Sequence, residues 1–228
     1  MHVVERAAQS QFVSRVIVAT DDERIFNTVT AHGGEARMTS PDCASGTDRV
    51  AEVAAALDVA VIVNVQGDEP LIEPSTIDAA ILPMINDEDE TPMATLAKRI
   101  EDPREITDPN VVKVVTDRSG LALYFSRSPV PHIRPAPGLA LEQALRMDAS
   151  LLHHYRKHSG LYAYRGEFLQ QFARMQPSAL ERLEQLEQLR ALENGTRIRV
   201  VPVEHRSIGV DTEQDYERVK RMIEENPL

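Results

Sequence analysis

The sequence predicts an α/β fold: a mostly parallel sheet flanked by helices. Two observations predict it. Short β-branched runs, clearest in Arg15-Val-Ile-Val-Ala19 and Val61-Ile-Val-Asn-Val65, read as buried parallel strands. Between such runs lie helical segments opened by polar caps and closed by glycine, so the first 90 residues read strand, helix, strand, helix, strand, helix.

Each element has its own reason. His2 to Gln9 reads as part of a helix, and Arg15 to Ala19 as the first strand. Thr20-Asp21-Asp22 caps the next helix, which carries Ile25, Val29 and Ala31 on its apolar side and stops at Gly33-Gly34. Glu35 to Met38 is a weaker strand. Ser45-Gly46-Thr47-Asp48 opens a helix with Val50, Val53, Ala54 and Leu57 at helical spacing. Val61 to Val65 is the strongest central strand, and a helix over 74–86 follows. Met93 to Arg99, Val111 to Thr116, Leu121 to Phe125 and Gly160 to Arg165 read as strands, with Asp117-Arg-Ser-Gly120 as a hairpin turn. Proline-rich 129–140 reads as an irregular excursion. Leu180, Leu183, Leu186, Leu189 and Leu192 predict one helix over Ser178 to Glu193, ended by Asn194-Gly195. Arg197 to Val203 is a late strand, and Asp211 starts the final helix.

Composition narrows the function. The 228 residues carry 36 acidic and 25 basic side chains, a net charge of −11. Such a surface argues against nucleic acid or an anionic membrane as partner. A few Arg and Lys in one cleft still suit an anionic small substrate. No apolar run reaches the roughly 18–20 residues of a membrane span, and the start has no signal-peptide core. Cys43 is the only cysteine, which excludes a disulfide scaffold or a Cys-rich metal site and makes the cytoplasm the expected compartment. The sequence has no G-x-G-x-x-G and no Walker lysine loop, against a dinucleotide oxidoreductase or a P-loop NTPase. No Ser-His-Asp or Cys-His spacing supports a covalent nucleophile.

Polar clusters fall where strands end, the place where open α/β sheets bind ligands. In Gln66-Gly67-Asp68-Glu69-Pro70, an Asp just past a buried strand suits Mg²⁺, a hard cation that takes carboxylate and phosphate oxygens. The same turn also reads as a cap for helix 74–86. Gly209-Val-Asp211 reads locally as a helix cap. Ser45-Gly46-Thr-Asp-Arg49 offers backbone N–H groups and a hydroxyl to a base or phosphate, and equally caps its helix. Arg127 and Arg156 follow or precede strands, where Arg suits a carboxylate and also serves as a surface ion pair. His158 alone reads as a hydrogen-bonded structural histidine.

The clusters together carry a resemblance. RVIVATDDERI (15–25), ASGTDRVAEV (44–53), VIVNVQGDEPLI (61–72), MATLAKRI (93–100), DPNVVKVV (108–115), ALYFSRSPVP (122–131), RKHSGLYAYR (156–165), LEQLRALENG (186–195) and GVDTEQD (209–215) run in order through almost the whole chain. In this it resembles the 3-deoxy-D-manno-octulosonate (Kdo) cytidylyltransferases, or CMP-Kdo synthetases.

The resemblance implies one cytidylyltransferase domain over 1–228, with a nucleotide-diphospho-sugar transferase-type sheet and a smaller mixed dimerisation lobe at roughly 100–165. It implies CTP and Kdo as substrates, CMP-Kdo and pyrophosphate as products, Mg²⁺ as cofactor and a homodimer serving lipopolysaccharide biosynthesis. By position, Asp68 and Asp211 match the metal carboxylates; Ser45, Gly46 and Arg49 match part of the cytidine site; Gln66, Arg127, His158, Tyr162, Glu187 and Gln188 match sugar-acid contacts. It further implies a strand and an Arg-, Ser- and Lys-bearing phosphate loop ahead of Met1, on which ground the 228 residues alone are expected to turn over poorly. The rival readings are a cytidylyltransferase for another sugar acid, and a chain that only binds ligand or dimerises.

Overall fold

The computed structural model describes residues 1–86, 91–134, 137–204, 209–210 and 212–225. The chain opens with helix α1 (His2–Ala7), which buries Ala7. Strand β1 (Ile17–Thr20) leads to helix α2 (Glu23–Ala31), whose first turn is capped by Asp22 accepting from the Arg24 N–H. Gly33 sits at φ 77°, a conformation open to glycine, and turns the chain into strand β2 (Glu35–Met38). Helix α3 (Gly46–Ala54) starts at Ser45, strand β3 (Val61–Asn64) follows, and helix α4 (Pro74–Asn86) packs behind it. Next come strand β4 (Met93–Arg99), the single turn α5 (Arg104–Thr107) and the hairpin of β5 (Lys113–Thr116) and β6 (Ala122–Ser126). Helix α6 (Leu141–Met147) and a 3-10 turn (Ala149–His154) lead into the long strand β7 (Arg156–Arg165). Helices α7 (Gly166–Arg174), α8 (Ala179–Glu184) and α9 (Gln188–Glu193), strand β8 (Ile198–Pro202) and helix α10 (Glu213–Glu225) complete the order.

β1 and β2 pair in parallel as a separate ribbon. The main sheet runs β6-β5-β7-β4-β8, with β3 also on β7. β7 is antiparallel to β3, β4 and β5, while β4 and β8 are parallel. Strands β3, β4, β5 and β8 therefore share one direction, as expected for a mostly parallel α/β sheet. Their hydrogen bonds are another matter: three of the four ladder onto the reversed strand β7.

Side chains alternate across this sheet. Met93, Ala97 and Tyr164 face a layer built by Ala51 and Ala54 of α3, Phe168, Leu169 and Phe172 of α7, and Leu189 of α9. Ala94, Leu96, Leu161 and Ala163 face the other way, onto Ile77, Ala80, Ile81 and Met84 of α4 and Ala7 of α1. A third cluster, Ile100, Ile106, Leu145 and Tyr155, holds α5, α6 and the 3-10 turn together beside the hairpin. Within β7, Tyr162 pairs with Thr95 and Ser159 with Leu96, so Gly160 and Leu161 form a bulge without partners on β4.

Several expectations are corrected. The single helix over 178–193 is two helices, because Gln185 is left-handed at φ 54°. The break lets Glu181 fold back onto Arg190, with bonds of 2.9 and 2.6 Å, and leaves Leu183 79% exposed while Leu186 and Leu189 are buried. On α2 only Val29 is buried, and Ile25 is 47% exposed, since a two-stranded ribbon covers only a narrow stripe of a helix. Helices α5, α6 and α7 and the 3-10 turn have no counterpart among the expected elements. The start of the last helix was placed at Asp211, which lies outside the described residues.

Candidate active site

The site grows from α3. Ser45 caps that helix by accepting from the Asp48 N–H at 3.1 Å, a bond that satisfies one of the free amides of the first turn. The same hydroxyl donates to Glu187 Oε1 at 3.1 Å. Thr47, on the first turn and 3% exposed, donates to Glu187 Oε2 at 2.8 Å. Buried Asn64, the last residue of β3, donates its amide to Thr47 Oγ1 at 3.4 Å. Glu187 follows the left-handed Gln185, so the helix break delivers its carboxylate to α3. Burial raises its carboxyl above the ordinary range; bonds from Thr47, the Arg190 charge and Ser45 pull against that, and Asp48 adds to it. Gln188, 3% exposed, has an Nε2 with no hydrogen-bond partner among the described residues. Open space surrounds the Cα of Gly46.

β7 supplies the second wall. Phe125, His158, Tyr162 and Tyr164 form an aromatic ladder with centroid spacings of 5.1, 5.3 and 5.9 Å. His158 Nε2 lies 2.9 Å from Thr95 Oγ1, and burial holds its imidazole down to about pKa 3. Gln66 lies against Gly160: a Cβ there would stand 4.0 Å from Gln66 Cγ. Sequence-named Ser45, Gln66, His158, Tyr162, Glu187 and Gln188 are thus brought to one side of the sheet by the β7 bulge and the α8–α9 break.

The other named residues are held by other partners. Arg49 turns away on α3, ion-paired to Asp21 at 2.9 Å and bonded to Thr39. Arg127 follows β6 directly, and its guanidinium donates to the carbonyls of Glu184 at 2.7 Å, Pro109 at 2.9 Å and Gln185 at 3.3 Å. These bonds use three of the five guanidinium N–H groups. Fully buried Lys113 donates to the carbonyls of Asp108, Val111 and Arg127, which pins the backbone of Arg127; its burial lowers the ammonium's pKa. Asp68 is exposed past the end of β3 and lines a cavity of about 540 Å³ with His2, Val210, Tyr216, Lys220 and Glu224. Its carbonyl accepts from the Val210 N–H at 2.8 Å. The second predicted carboxylate, Asp211, lies outside the described residues.

Residues 1–198 match the family described as cytidylyltransferase. The chain belongs to the cytidylyltransferase family. Among relatives of this cytidylyltransferase, the 3-deoxy-manno-octulosonate cytidylyltransferase of Solibacter usitatus (strain Ellin6076) is 52% identical over 227 residues, covering 100% of this chain and 84% of that one. The protein of the same name from Geotalea uraniireducens (strain Rf4) is 56% identical over 218 residues, covering 96% and 85%. A solved structure of CMP:2-keto-3-deoxy-manno-octonic acid synthetase complexed with CTP superposes with a TM-score of 0.86 at 40% identity, covering 98% and 86%. No helix of the cytidylyltransferase, among the described residues, is long and apolar enough to cross a membrane.

Sequence reasoning passed over four residues that organise the site: Thr47, Asn64, Thr95 and Glu184. Glu184 accepts from Ser126 Oγ at 2.6 Å and from the Arg127 N–H at 2.9 Å, fixing the end of β6. Thr47 lay inside the Ser45–Arg49 motif, and its signal was a second hydroxyl two residues after the cap. The other three point inward from ordinary strand and helix positions and carry no local signal.

Proposed function

We propose that this cytidylyltransferase joins CTP to 3-deoxy-D-manno-octulosonate, giving CMP-Kdo and pyrophosphate for lipopolysaccharide biosynthesis. The observation that carries the reading is the convergence of Ser45, Gln66, His158, Tyr162 and Glu187 beside one bulge of β7. An aromatic and amide wall facing a carboxylate suits a polyhydroxylated acid: the rings cover its apolar face and the polar groups read its hydroxyls. Relatives more than 50% identical that carry the Kdo cytidylyltransferase name support the same substrate.

In the reaction, the anomeric hydroxyl oxygen of Kdo bonds to the α-phosphorus of CTP. The bond from that phosphorus to the bridging oxygen breaks, pyrophosphate leaves, and the hydroxyl proton goes to solvent. Ser45 and the free amides of α3 orient the nucleotide, with Gly46 giving close approach to the backbone. The cluster of Gln66, His158, Tyr162, Glu187 and Gln188 holds the sugar, and the guanidinium N–H groups of Arg127 that the carbonyls leave unused take its carboxylate. Holding both reactants in line is the main contribution expected of the protein. Arg49 acts on the cytidine side by fixing α3 to Asp21 and Thr39.

Mg²⁺ belongs to the proposal. Asp68 fits it: an exposed carboxylate at a cavity, with hard oxygen donors that combine with phosphate oxygens around such an ion. We assign Asp211 as its partner. When bound, the ion neutralises phosphate charge. We also place the protein in the cytoplasm as a homodimer, whose contact covers the exposed Leu123 and Met147.

Pyrophosphate release from CTP and Mg²⁺ tests the reading against a panel of Kdo, amino-substituted Kdo and sialic acid. Kdo is expected to be preferred, and Asp68→Asn to lower turnover by at least about a hundredfold. Preference for another sugar acid would favour the rival cytidylyltransferase, and near-normal rates in Asp68→Asn would remove Asp68 from the metal site.

A further inference from the structure

Glu187 lies where no continuous helix fixes it, two residues after the left-handed Gln185. Its carboxylate is held by side chains instead. An ionised carboxylate only accepts, so the single proton of Thr47 goes to Glu187 Oε2 at 2.8 Å. Thr47 Oγ1 then has only lone pairs to offer its other partners. It accepts the Asn64 amide at 3.4 Å. Asn64, Thr47 and Tyr164 are 5%, 3% and 1% exposed. A donor from β3 thus meets one buried hydroxyl of α3, which hands a single directed bond to Glu187.

We infer that Thr47 is a positioning residue of the reaction: its bond aims the Glu187 carboxylate at the sugar acid. The inference rests on the proposed role of Glu187 as a sugar contact.

Among the described residues, the charged and titratable groups facing Glu187 are Asp48 of α3, Tyr162 and Tyr164 of β7, and Arg190 of α9, whose Nη2 stands 3.8 Å away and is committed to Glu181; the hydroxyls of Ser45 and Thr47 face it too. Burial pushes the Glu187 carboxyl up, and the Thr47 bond is the first force opposing it. Removing that hydroxyl leaves the carboxyl higher still. A raised carboxyl needs a higher pH to ionise, so the acid side of the activity profile moves up.

Thr47→Val keeps the volume and removes the hydroxyl, while Thr47→Ser keeps the hydroxyl. Kinetics are read on the whole chain with CTP, Kdo and Mg²⁺. In Thr47→Val the KM for Kdo is expected to rise about tenfold, as for loss of a bond to a charged group. The KM for CTP is expected to stay within about twofold, and the acid limb of kcat/KM for Kdo to shift to higher pH. Thr47→Ser should restore both. Carboxyl ¹³C titration of Glu187 without substrate gives an independent reading, with a higher midpoint expected in Thr47→Val. Should that variant not fold, Thr47→Cys, of similar volume with a weak donor, is read the same way. An unmoved acid limb and carboxyl midpoint would overturn the inference even if thermal stability fell, and so would Thr47→Ser behaving like Thr47→Val. A parent protein that releases no pyrophosphate with Kdo would overturn the reaction instead, while the carboxyl titration would still decide whether Thr47 holds Glu187.

Discussion

His158 sits among Phe125, Tyr162 and Thr95, and burial keeps its ring neutral far below the usual histidine range, at about pKa 3. The linkage has a definite sign. The folded pKa is below the unfolded one, near 6.5, so the stabilisation is complete above pH 6.5 and is lost as pH falls from there towards 3. The slope from this one group is at most about 1.4 kcal/mol per pH unit. Urea melts between pH 7 and pH 5 are expected to show stability falling in the parent and falling less in His158→Gln. An identical slope in the variant would assign the dependence to other groups. At this scale the sequence spoke unevenly. Ser45 as a cap and Gly33 and Gly195 as stops were legible, because capping and left-handed turns depend on the residue and its neighbours alone. The bonding of Arg127 to three carbonyls was not, because Pro109, Glu184 and Gln185 reach it only through the fold.

Helices α8 and α9 show the same divide one level up. The leucine spacing identified a helical stripe, and Ser178 with Glu181 forms a capping box at its start. A stripe does not say where it bends. The bend at Gln185 is set by Glu181 reaching Arg190 and by Glu187 reaching Ser45 and Thr47, both tertiary contacts. A left-handed conformation disfavours a residue with a Cβ by about 1–2 kcal/mol. Gln185 recovers part of this through its Nε2 bond to the Arg182 carbonyl at 2.7 Å. Gln185→Gly is therefore expected to raise stability by up to about 1 kcal/mol with activity retained, measured as a higher urea midpoint at unchanged m-value. A lower midpoint would mean that the side-chain bond outweighs the backbone strain. Gly166 is the opposite case: a Cβ there would stand 2.7 Å from the Val59 carbonyl oxygen, so the turn from β7 into α7 admits no side chain without moving the segment that leads into β3.

For the whole molecule, the class of fold was legible and the wiring was not. Apolar strands such as Val61–Asn64 and Met93–Arg99 announce themselves by composition, which is the same for either direction of the chain. Only the long-range pairing reveals β7 running against β3, β4 and β5. That reversed strand carries His158, Tyr162 and Tyr164 on one face, and so lays the aromatic wall of the site across the middle of the sheet. At the sheet's end, β6 is an edge strand with Leu123 62% exposed, and Met147 of α6 is 77% exposed. Edge strands with exposed apolar residues invite pairing with another chain. Light scattering is expected to give a dimer for the parent and a monomer for Leu123→Lys. A dimer in both would move the contact to another face.

The bulge at Gly160-Leu161 has one more consequence. Thr95 Oγ1 lies 3.1 Å from the Ser159 carbonyl and 2.8 Å from that of Leu161, groups that can only accept. Its lone hydrogen is consumed there, so the short contact to His158 Nε2 requires the imidazole to be the donor. The ring is locked as the Nε2–H tautomer. That tautomer leaves the lone pair on Nδ1, so any ligand that meets this nitrogen must arrive bearing a proton to share, as a sugar hydroxyl does and a carboxylate does not.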